Sequence, residues 1–237
     1  TATKYMGLYF LFGLFWLLAF AIACEQFITA ATTSMWYFSG EGADNGDSRG
    51  RVSIMLGVKW CFSYHMGSLA MGSFLIAVVQ MMKVLFEYFA KKYESVAGKN
   101  NPVYKAITCC IRCCIWCLDA YVKFLTRNAY IQIALHNSTF CTATKEAFYL
   151  AIRHMGRFSS INIIGKVLDV IGKGAIVALS LWLTLVLIQS QAPQVQQPYI
   201  PAVIVGFVAF MIASLFLTIF DFSASTILHC FIMEEDF

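Results

Sequence analysis

The sequence predicts an all-α polytopic membrane protein. Hydrophobic residues make up 59% of the 237 residues and charged residues only 13%, whereas an ordinary soluble domain carries roughly 25% charged residues. About 20 consecutive apolar residues cross a bilayer as a helix, and four stretches reach that length: 5–38, 60–89, 171–189 and 202–222. The predicted fold is therefore a membrane helix bundle of four transmembrane helices, with cytoplasmic amphipathic helices between the second and the third.

The first apolar stretch is longer than a bilayer requires. As a helix, its 34 residues would extend roughly 50 Å, against about 30 Å of hydrocarbon. It is therefore expected to tilt, to protrude or to break. Its weakest points are Gly7, Gly13 and the segment 29–34.

Basic residues predict the orientation, because Lys and Arg remain on the cytoplasmic side of a membrane. The segment 83–173 holds 13 of the 17 Lys and Arg residues against five Asp and Glu residues, a net charge of +8. It is therefore expected to be cytoplasmic, with the connectors 39–51 and 190–201 outside and both ends of the chain inside. The chain opens on Thr1 rather than Met, so the natural start is expected to precede it, and no signal peptide is visible.

The segment 103–170 is too polar to span a membrane and too apolar to be a linker. Apolar residues recur at helical spacing across 107–125, and a second such pattern covers 145–157. Both patterns predict amphipathic helices that lie at the membrane surface or beneath the bundle, with their cations toward anionic lipid headgroups. The segment 223–237 is assigned to the start of a cytoplasmic tail.

Glu25 is the main functional candidate, because it is the only charged residue between Tyr5 and Phe38. A charged side chain at the centre of a bilayer costs about 2.5–3.5 kcal/mol on insertion scales and normally faces a protein interior or a watery path. The alternative is a structural carboxyl that is protonated or paired with a neighbouring helix.

Aromatic residues near Glu25 indicate a binding site for a small organic cation, since cation–π attraction reaches about 2 kcal/mol in a desolvated site. The candidate binding residues besides Glu25 are Gln26, Trp16, Trp36, Tyr37 and Tyr64. Trp16 lies about 13 Å from Glu25 along a helix, so both contact one small cation only if the helix unwinds between them. The alternative role of Trp and Tyr at helix ends is to anchor the membrane interface.

Five of the nine cysteines lie in the string CCIRCCIWC, at Cys109, Cys110, Cys113, Cys114 and Cys117. On a helix they occupy an arc of roughly 140°. Small apolar thiols in a reducing compartment are the plainest interpretation, and palmitoylation of juxtamembrane cysteines is the better motivated modification. A metal site is less favoured, because one helix cannot surround a zinc ion tetrahedrally. No metal or cofactor is predicted.

The remaining motifs do not indicate an enzyme. Asn137 begins a glycosylation sequon that the predicted topology places in the cytoplasm, where it would stay unmodified. The small residues around Gly72 predict close helix contact. The four histidines have no metal-ligand spacing, and the sequence has no Gly-rich phosphate loop, no Ser-His-acid set and no paired carboxylates.

Several strings resemble the choline transporter-like family: YHMGSLAMGSFL at 64–75, CCIRCCIWCLDAYVKFLTRNAYIQIAL at 109–135 and NSTFCTATKEAF at 137–148. LFGLFWLLAFAIACEQ near the start and IFDF with LHCFIMEED at the end are also similar. The resemblance covers essentially the whole chain and matches the C-terminal half of a family member. It implies a multi-pass transporter of choline, or of a related cation such as ethanolamine, in the plasma membrane or an organelle membrane such as the mitochondrial one. It also implies re-entrant or surface helices on the inner side of the path.

Two functions remain open from the sequence. The first is transport by alternating access, with Glu25 as the counter-charge, the aromatic residues as a cation shell and a break in the first helix at the site. The second is a structural or accessory membrane subunit that packs against partner subunits of a larger assembly and transports nothing.

Overall fold

The computed structural model describes residues 2–39, 52–97, 102–191, 197 and 199–236. Within these ranges the chain is almost entirely helical and forms no β-strand, and four helices are long and apolar enough to cross a membrane: Met6–Ser39, Ile54–Glu94, Met155–Ser190 and Tyr199–Glu235. The all-α membrane fold is thereby confirmed. Residues 40–51 of the first connector, and residues 192–196 and 198 of the second, lie outside the described residues.

The chain divides into two compact units, Thr1–Ile152 and Arg153–Phe237. The first unit contains α1 (Ala2–Ser39), α2 (Ile54–Trp60), a π-helix (Cys61–His65), α3 (Met66–Ala97), α4 (Pro102–His136) and α5 (Phe140–Arg153, of which the last residue belongs to the second unit). The second unit contains α6 (Met155–Gln191) and α7 (Tyr199–Asp236). Both of these helices extend well beyond the predicted stretches 171–189 and 202–222.

α1 is one continuous helix, so the break expected at a binding site in this span does not occur. Two of its hydroxyl groups bond within the helix. The Thr32 hydroxyl donates to the Ile28 carbonyl oxygen at 2.7 Å, and the Ser34 hydroxyl donates to the Ala30 carbonyl oxygen at 2.5 Å. Such bonds to the preceding turn let Ser and Thr remain inside a helix.

The irregular turn lies in the second span, where the π-helix joins α2 to α3. Gly57 in α2 packs closely on α1, since a Cβ there would lie 3.3 Å from Thr32 Oγ1. Cys61 and Leu69 are both buried, although eight residues of regular α-helix would rotate them apart by roughly 80°. The wider π turn reduces this rotation and keeps both residues on the packed side.

α4 runs antiparallel to α3 along most of the length of that helix. Near the start of α4, the Tyr104 hydroxyl donates to the Ala90 carbonyl oxygen at 2.5 Å. Near its end, the Tyr130 hydroxyl lies 3.5 Å from the Leu69 carbonyl oxygen. The first half of α4 is mostly exposed, whereas Thr126 and the residues 128–133 are buried. A helix lying flat on a membrane surface would not be buried on all sides, so this packing favours the re-entrant alternative.

The core of the first unit lies where α1, the second span and α4 meet. It includes Ala23 and Phe27 from α1, Leu69 from α3, and Tyr130 and Ile133 from α4. The predicted close helix contact at Gly72 is present, because a Cβ there would lie 2.5 Å from the Tyr130 hydroxyl and 2.7 Å from Phe140.

The second unit is an antiparallel hairpin of α6 and α7. Glycines permit the close approach: a Cβ at Gly172 would lie 3.0 Å from Leu217, and one at Gly206 would lie 2.9 Å from Leu181. Arg157 forms two hydrogen bonds with Glu235 at one end of the hairpin. Most large apolar side chains of both helices point outward, as expected for helices that contact lipid or further protein.

Candidate functional site

An open cleft of about 370 Å³ lies in the first unit, beside the π-helix. Four aromatic rings come from three neighbouring elements: Phe27 from α1, Trp60 from α2, and Tyr64 and His65 from the π-helix. The end of α4 supplies the facing wall, which consists of Ile133, Ala134, Leu135 and Asn137.

The π-helix positions two of these rings. Tyr64 and His65 are consecutive residues that both reach the cleft. The His65 ring lies against the buried Phe27 ring, with 4.9 Å between their centroids. Tyr64 is 71% exposed, so it stands at the open side of the cleft. His65 is therefore held by packing against Phe27, whereas Tyr64 is exposed.

Asn137 closes the end of α4 and has a φ of 54°. Asparagine adopts this left-handed conformation more readily than most residues. The Asn137 N–H donates to the Ile133 carbonyl oxygen at 3.0 Å, which ends the helix, and Asn137 itself lines the cleft. The side-chain amide carries two N–H donors and one carbonyl acceptor, whereas the rest of this wall is apolar.

Among the described residues that line the cleft, none carries a carboxylate. A cation bound there would be stabilised by aromatic faces rather than by a formal counter-charge. Such cation–π attraction is the recognised mode for quaternary ammonium ligands. The chemistry of the cleft therefore suits a small cation with a weakly hydrated charge.

Of the predicted binding residues, the structure places Tyr64 in this cleft and the other five elsewhere. The Trp16 indole N–H donates to the Ala70 carbonyl oxygen at 3.3 Å, and its ring packs on Phe74. Trp36 is 59% exposed, and Tyr37 packs on Phe38 with 5.2 Å between the ring centroids. Trp16 therefore joins two helices, and Tyr37 belongs to the end of α1.

Glu25 is exposed in the first unit, whereas its neighbours Ala23, Cys24 and Phe27 are buried. Glu25 and Phe27 are two positions apart on the helix, a rotation of roughly 200°, so the carboxylate points away from the face that borders the cleft. Gln26 is partly buried. Within the described ranges Glu25 makes no hydrogen bond or ion pair.

Sequence reasoning misses Phe27 and His65 as cleft residues. In the sequence, Phe27 cannot be distinguished from the other apolar residues of a membrane helix, and no hydrophobic periodicity indicates a π turn. The signal that was available is the spacing of Trp60 and Tyr64, which lie four residues apart and therefore share one helix face.

The five clustered cysteines of α4 are all free and exposed. Cys113 and Cys117 share a side-chain hydrogen bond, and this bond raises the pKa of the Cys113 thiol above its ordinary value. The described residues contain no group of three His, Cys, Asp or Glu side chains that could hold a metal ion.

Sequence comparison identifies the family. A family model described as "Plasma-membrane choline transporter" matches residues 1–236. The chain belongs to the choline transporter-like family. It is 31% identical to choline transporter-like protein 2 of Xenopus laevis over an alignment of 241 positions, which covers 98% of this chain and 33% of the relative. It is also 31% identical to choline transporter-like protein 4 of Bos taurus over 240 residues, 97% of this chain and 33% of the relative.

This choline transporter-like chain thus spans about a third of the length of the curated relatives it matches. Choline transporter-like 2 of Anopheles gambiae is 30% identical over 227 residues, 94% of this chain and 28% of that protein. Together with the four membrane-spanning helices, the family makes this an integral multi-pass membrane protein.

Proposed function

We propose that this protein contributes to the transport of choline or a related organic cation, such as ethanolamine, and that the cleft beside the π-helix binds the cation. The observation that carries the proposal is the convergence of Phe27, Trp60, Tyr64 and His65 on one cleft. The family names of the relatives supply the substrate class.

The cleft and choline match in size and chemistry. Binding sites for small ligands commonly enclose about 300–1,000 Å³, and the cleft lies near the lower end of this range at about 370 Å³. A trimethylammonium group donates no conventional hydrogen bond, so aromatic faces can stabilise it without leaving donors unpaired. In this proposal the Asn137 amide binds the hydroxyl group of choline.

The π-helix supplies a conformational element for alternating access. π turns inside α-helices occur frequently at functional sites, and transporters commonly bind substrate where a membrane helix is interrupted. The interruption proposed here lies in the second span rather than in α1. A return of Cys61–His65 to α-helical geometry would rotate Tyr64 relative to Phe27 and reshape the cleft.

The position of α4 supports a role in the transport path. α4 reaches from Ala90, near the charged end of α3, to the cleft beside Tyr64. Its 35 residues extend about 50 Å, which exceeds the hydrocarbon thickness of about 30 Å. We therefore propose that α4 enters the membrane as a re-entrant or crossing helix and forms one wall of the path.

The test is saturable choline uptake by the full-length protein with matched surface expression. Trp60→Ala should raise the half-saturating choline concentration by a factor of about 30, because a desolvated cation–π contact is worth about 2 kcal/mol. Trp182→Ala is the control, since this residue is an exposed tryptophan of the second unit. Unchanged half-saturation in the Trp60 variant would exclude the cleft as the binding site.

Glu25 stays a candidate counter-charge, acting from a different face of α1. Glu25→Gln preserves the shape of the side chain and removes its charge. Because Glu25 is exposed in the first unit, it can act as a counter-charge only where a further element covers it; loss of one partner of such a buried charge pair typically costs about 3–5 kcal/mol, a factor of more than a hundred in affinity. A true counter-charge would therefore abolish uptake at micromolar choline in this variant, whereas a structural carboxyl would tolerate the change.

The second candidate function is a structural or accessory membrane subunit. It is favoured by the second unit, in which the most apolar window of Met155–Ser190 has no buried residue. Such a helix has extensive surface for lipid or for partner subunits. Saturable choline uptake by the purified protein in liposomes would exclude a purely structural role.

The membrane in which the protein resides can be identified by cell fractionation, which separates plasma membrane from organelle membranes, including the mitochondrial one.

A further inference from the structure

The exposed cysteines of α4 form a surface that the cation cleft does not use. Cys109, Cys110, Cys113, Cys114 and Cys117 are all exposed, whereas Cys24, Cys61 and Cys230 are buried. The five clustered thiols are therefore accessible, whereas the three buried cysteines are not.

Helix pairing fixes the direction in which these thiols point. Arg112 faces α3, because its Nε donates to Glu87 Oε1 at 2.6 Å and its Nη2 donates to Glu87 Oε2 at 2.9 Å. Cys110 and Cys114 lie two residues before and after Arg112, which is a rotation of roughly 200° around the helix. The centre of the cysteine arc is therefore directed away from α3.

Helix pairing also fixes the level of the thiols along α3. Cys109 borders a cleft with Ala90, Lys91 and Glu94. A few residues later, Trp116 borders a second cleft with Glu87. The segment 109–117 therefore lies beside the end of α3, where the sequence changes from apolar to charged. Such a change marks the point at which a membrane helix leaves the hydrocarbon.

The surroundings of the thiols suit an acyl chain and its membrane. Ile107, Ile111, Trp116 and Leu118 are exposed apolar side chains on the same part of α4. Lys91 and Lys105 border the adjacent cleft and would attract anionic headgroups. An acyl chain attached here has hydrocarbon within reach.

We propose that the cysteine segment 109–117 is a site of S-acylation by long-chain acyl-CoA at the cytoplasmic interface, where the basic residues predict it to lie. In the reaction, a cysteine sulfur attacks the acyl carbonyl carbon and forms a new thioester. The bond between the acyl group and coenzyme A breaks, and the thiol proton ends on the coenzyme A sulfur. No electron is gained or lost.

The proposal is tested in cells that express the full-length protein and are fed an alkyne analogue of palmitate. We expect label that hydroxylamine releases, because hydroxylamine cleaves thioesters. A variant with Ser at all five positions should lose this label, and Cys141→Ser, which changes an exposed cysteine of α5, should keep it. Replacing exposed thiols with Ser should leave the melting temperature unchanged, which separates loss of acylation from misfolding.

Two results would overturn the proposal. One is the absence of hydroxylamine-sensitive label from the wild-type protein, or its persistence in the variant with five Ser residues. The other is stoichiometric zinc in the purified protein that disappears in the same variant, which would assign the thiols to a metal. The experiment measures acyl label and not choline uptake, so its result does not depend on whether the cleft binds the cation.

Discussion

The two halves of α4 are continuous in the chain and opposite in environment. The first half carries the exposed cysteines and the ion pair of Arg112 with Glu87. The second half carries Asn128, Tyr130 and Gln132, all of which are at most 5% exposed. A single helix therefore has an interfacial segment and a core segment, and the change occurs near Asp119.

Polar residues have different surroundings in the two halves of α4. In the first half they are paired at the surface, where water competes for each contact. In the second half, Asn128 Nδ2 and Gln132 Oε1 are buried without a hydrogen-bond partner in the described residues. Buried unpaired polar atoms cost free energy, and in native structures they commonly mark bound water or ligand contacts. These two atoms support our proposal that the second half of α4 lines a polar path.

The largest expected difference between the two halves is the side of the membrane on which each end of α4 lies. In a background without the exposed native cysteines, His136→Cys and Lys105→Cys should react with an impermeant maleimide from opposite sides of the membrane. Lys105→Cys should react only after permeabilisation, because the basic end of α4 is expected to be cytoplasmic. His136→Cys should react in intact cells, because its end of α4 lies beside Tyr64.

Reaction of both variants only after permeabilisation would place all of α4 on the inner side. That result would also keep the sequon at Asn137 cytoplasmic and unglycosylated, as the charge distribution predicts. The experiment therefore decides between the sequence-based topology and the one that the helix packing favours.

The second effect concerns packing in the core half. Gly72→Ala should lower the free energy of unfolding by about 1–3 kcal/mol, the usual cost of overpacking a filled core, because the added methyl group would meet Tyr130 and Phe140 within 2.7 Å. Gly67→Ala is the matched control on the same helix, since nothing lies within 4 Å of its Cβ position. Melting temperatures in detergent measure both, and equal values would show that the core half packs loosely.

The sequence predicts the architecture but not how deeply the second half of α4 is buried in the protein. Length and hydropathy locate the four spans, because crossing a bilayer imposes a minimum apolar length. The same rule overlooks α4, because charged residues recur along the helix from Lys105 to Arg127, whereas most of its core residues lie in the second half. The string 126–133 contains Arg127, Asn128 and Gln132, so its mean hydropathy is low although the structure buries all of its residues except Arg127.

The candidate site shows the same limit. Tyr64 is predictable as an aromatic residue near a helix end, but its partners Phe27 and His65 depend on the π turn and on the packing of three elements. Glu25 is the most unusual residue of the first span in sequence, and its exposure in the first unit could not be read from composition. Periodicity describes one helix at a time, whereas a binding site is made by several.

The third effect concerns Asp119, at the junction of the halves. Its carboxylate accepts hydrogen bonds from Lys83 Nζ at 2.6 Å and Lys123 Nζ at 2.9 Å. Burial alone would raise the pKa of Asp119, but these two lysines hold it below its ordinary value. Asp119→Asn should therefore lower the stability at neutral pH by about 1–2 kcal/mol, since hydrogen bonds to charged groups contribute about 1.5–3 kcal/mol and Asn keeps part of them.

The pH dependence of the Asp119 effect follows from the lowered pKa. A carboxylate with a depressed folded-state pKa stabilises the protein above its unfolded pKa, near 3.9, and the contribution is lost as the pH falls through the folded value. The difference between wild type and Asp119→Asn should thus be constant at neutral pH and shrink below about pH 4. Glu146→Gln, at an exposed carboxylate of α5, should show no such difference at any pH.

The smallest effect concerns the interfacial half, at Arg112. Its two hydrogen bonds to Glu87 have good geometry, but both side chains are exposed, so water and salt screen the attraction and side-chain ordering offsets most of the remainder. Arg112→Gln should therefore leave the melting temperature within the error of the measurement, and raising the ionic strength should remove any residual difference. A drop as large as that of Asp119→Asn would mean that the first half of α4 is held by charge rather than by the membrane, and would remove the distinction between the two halves.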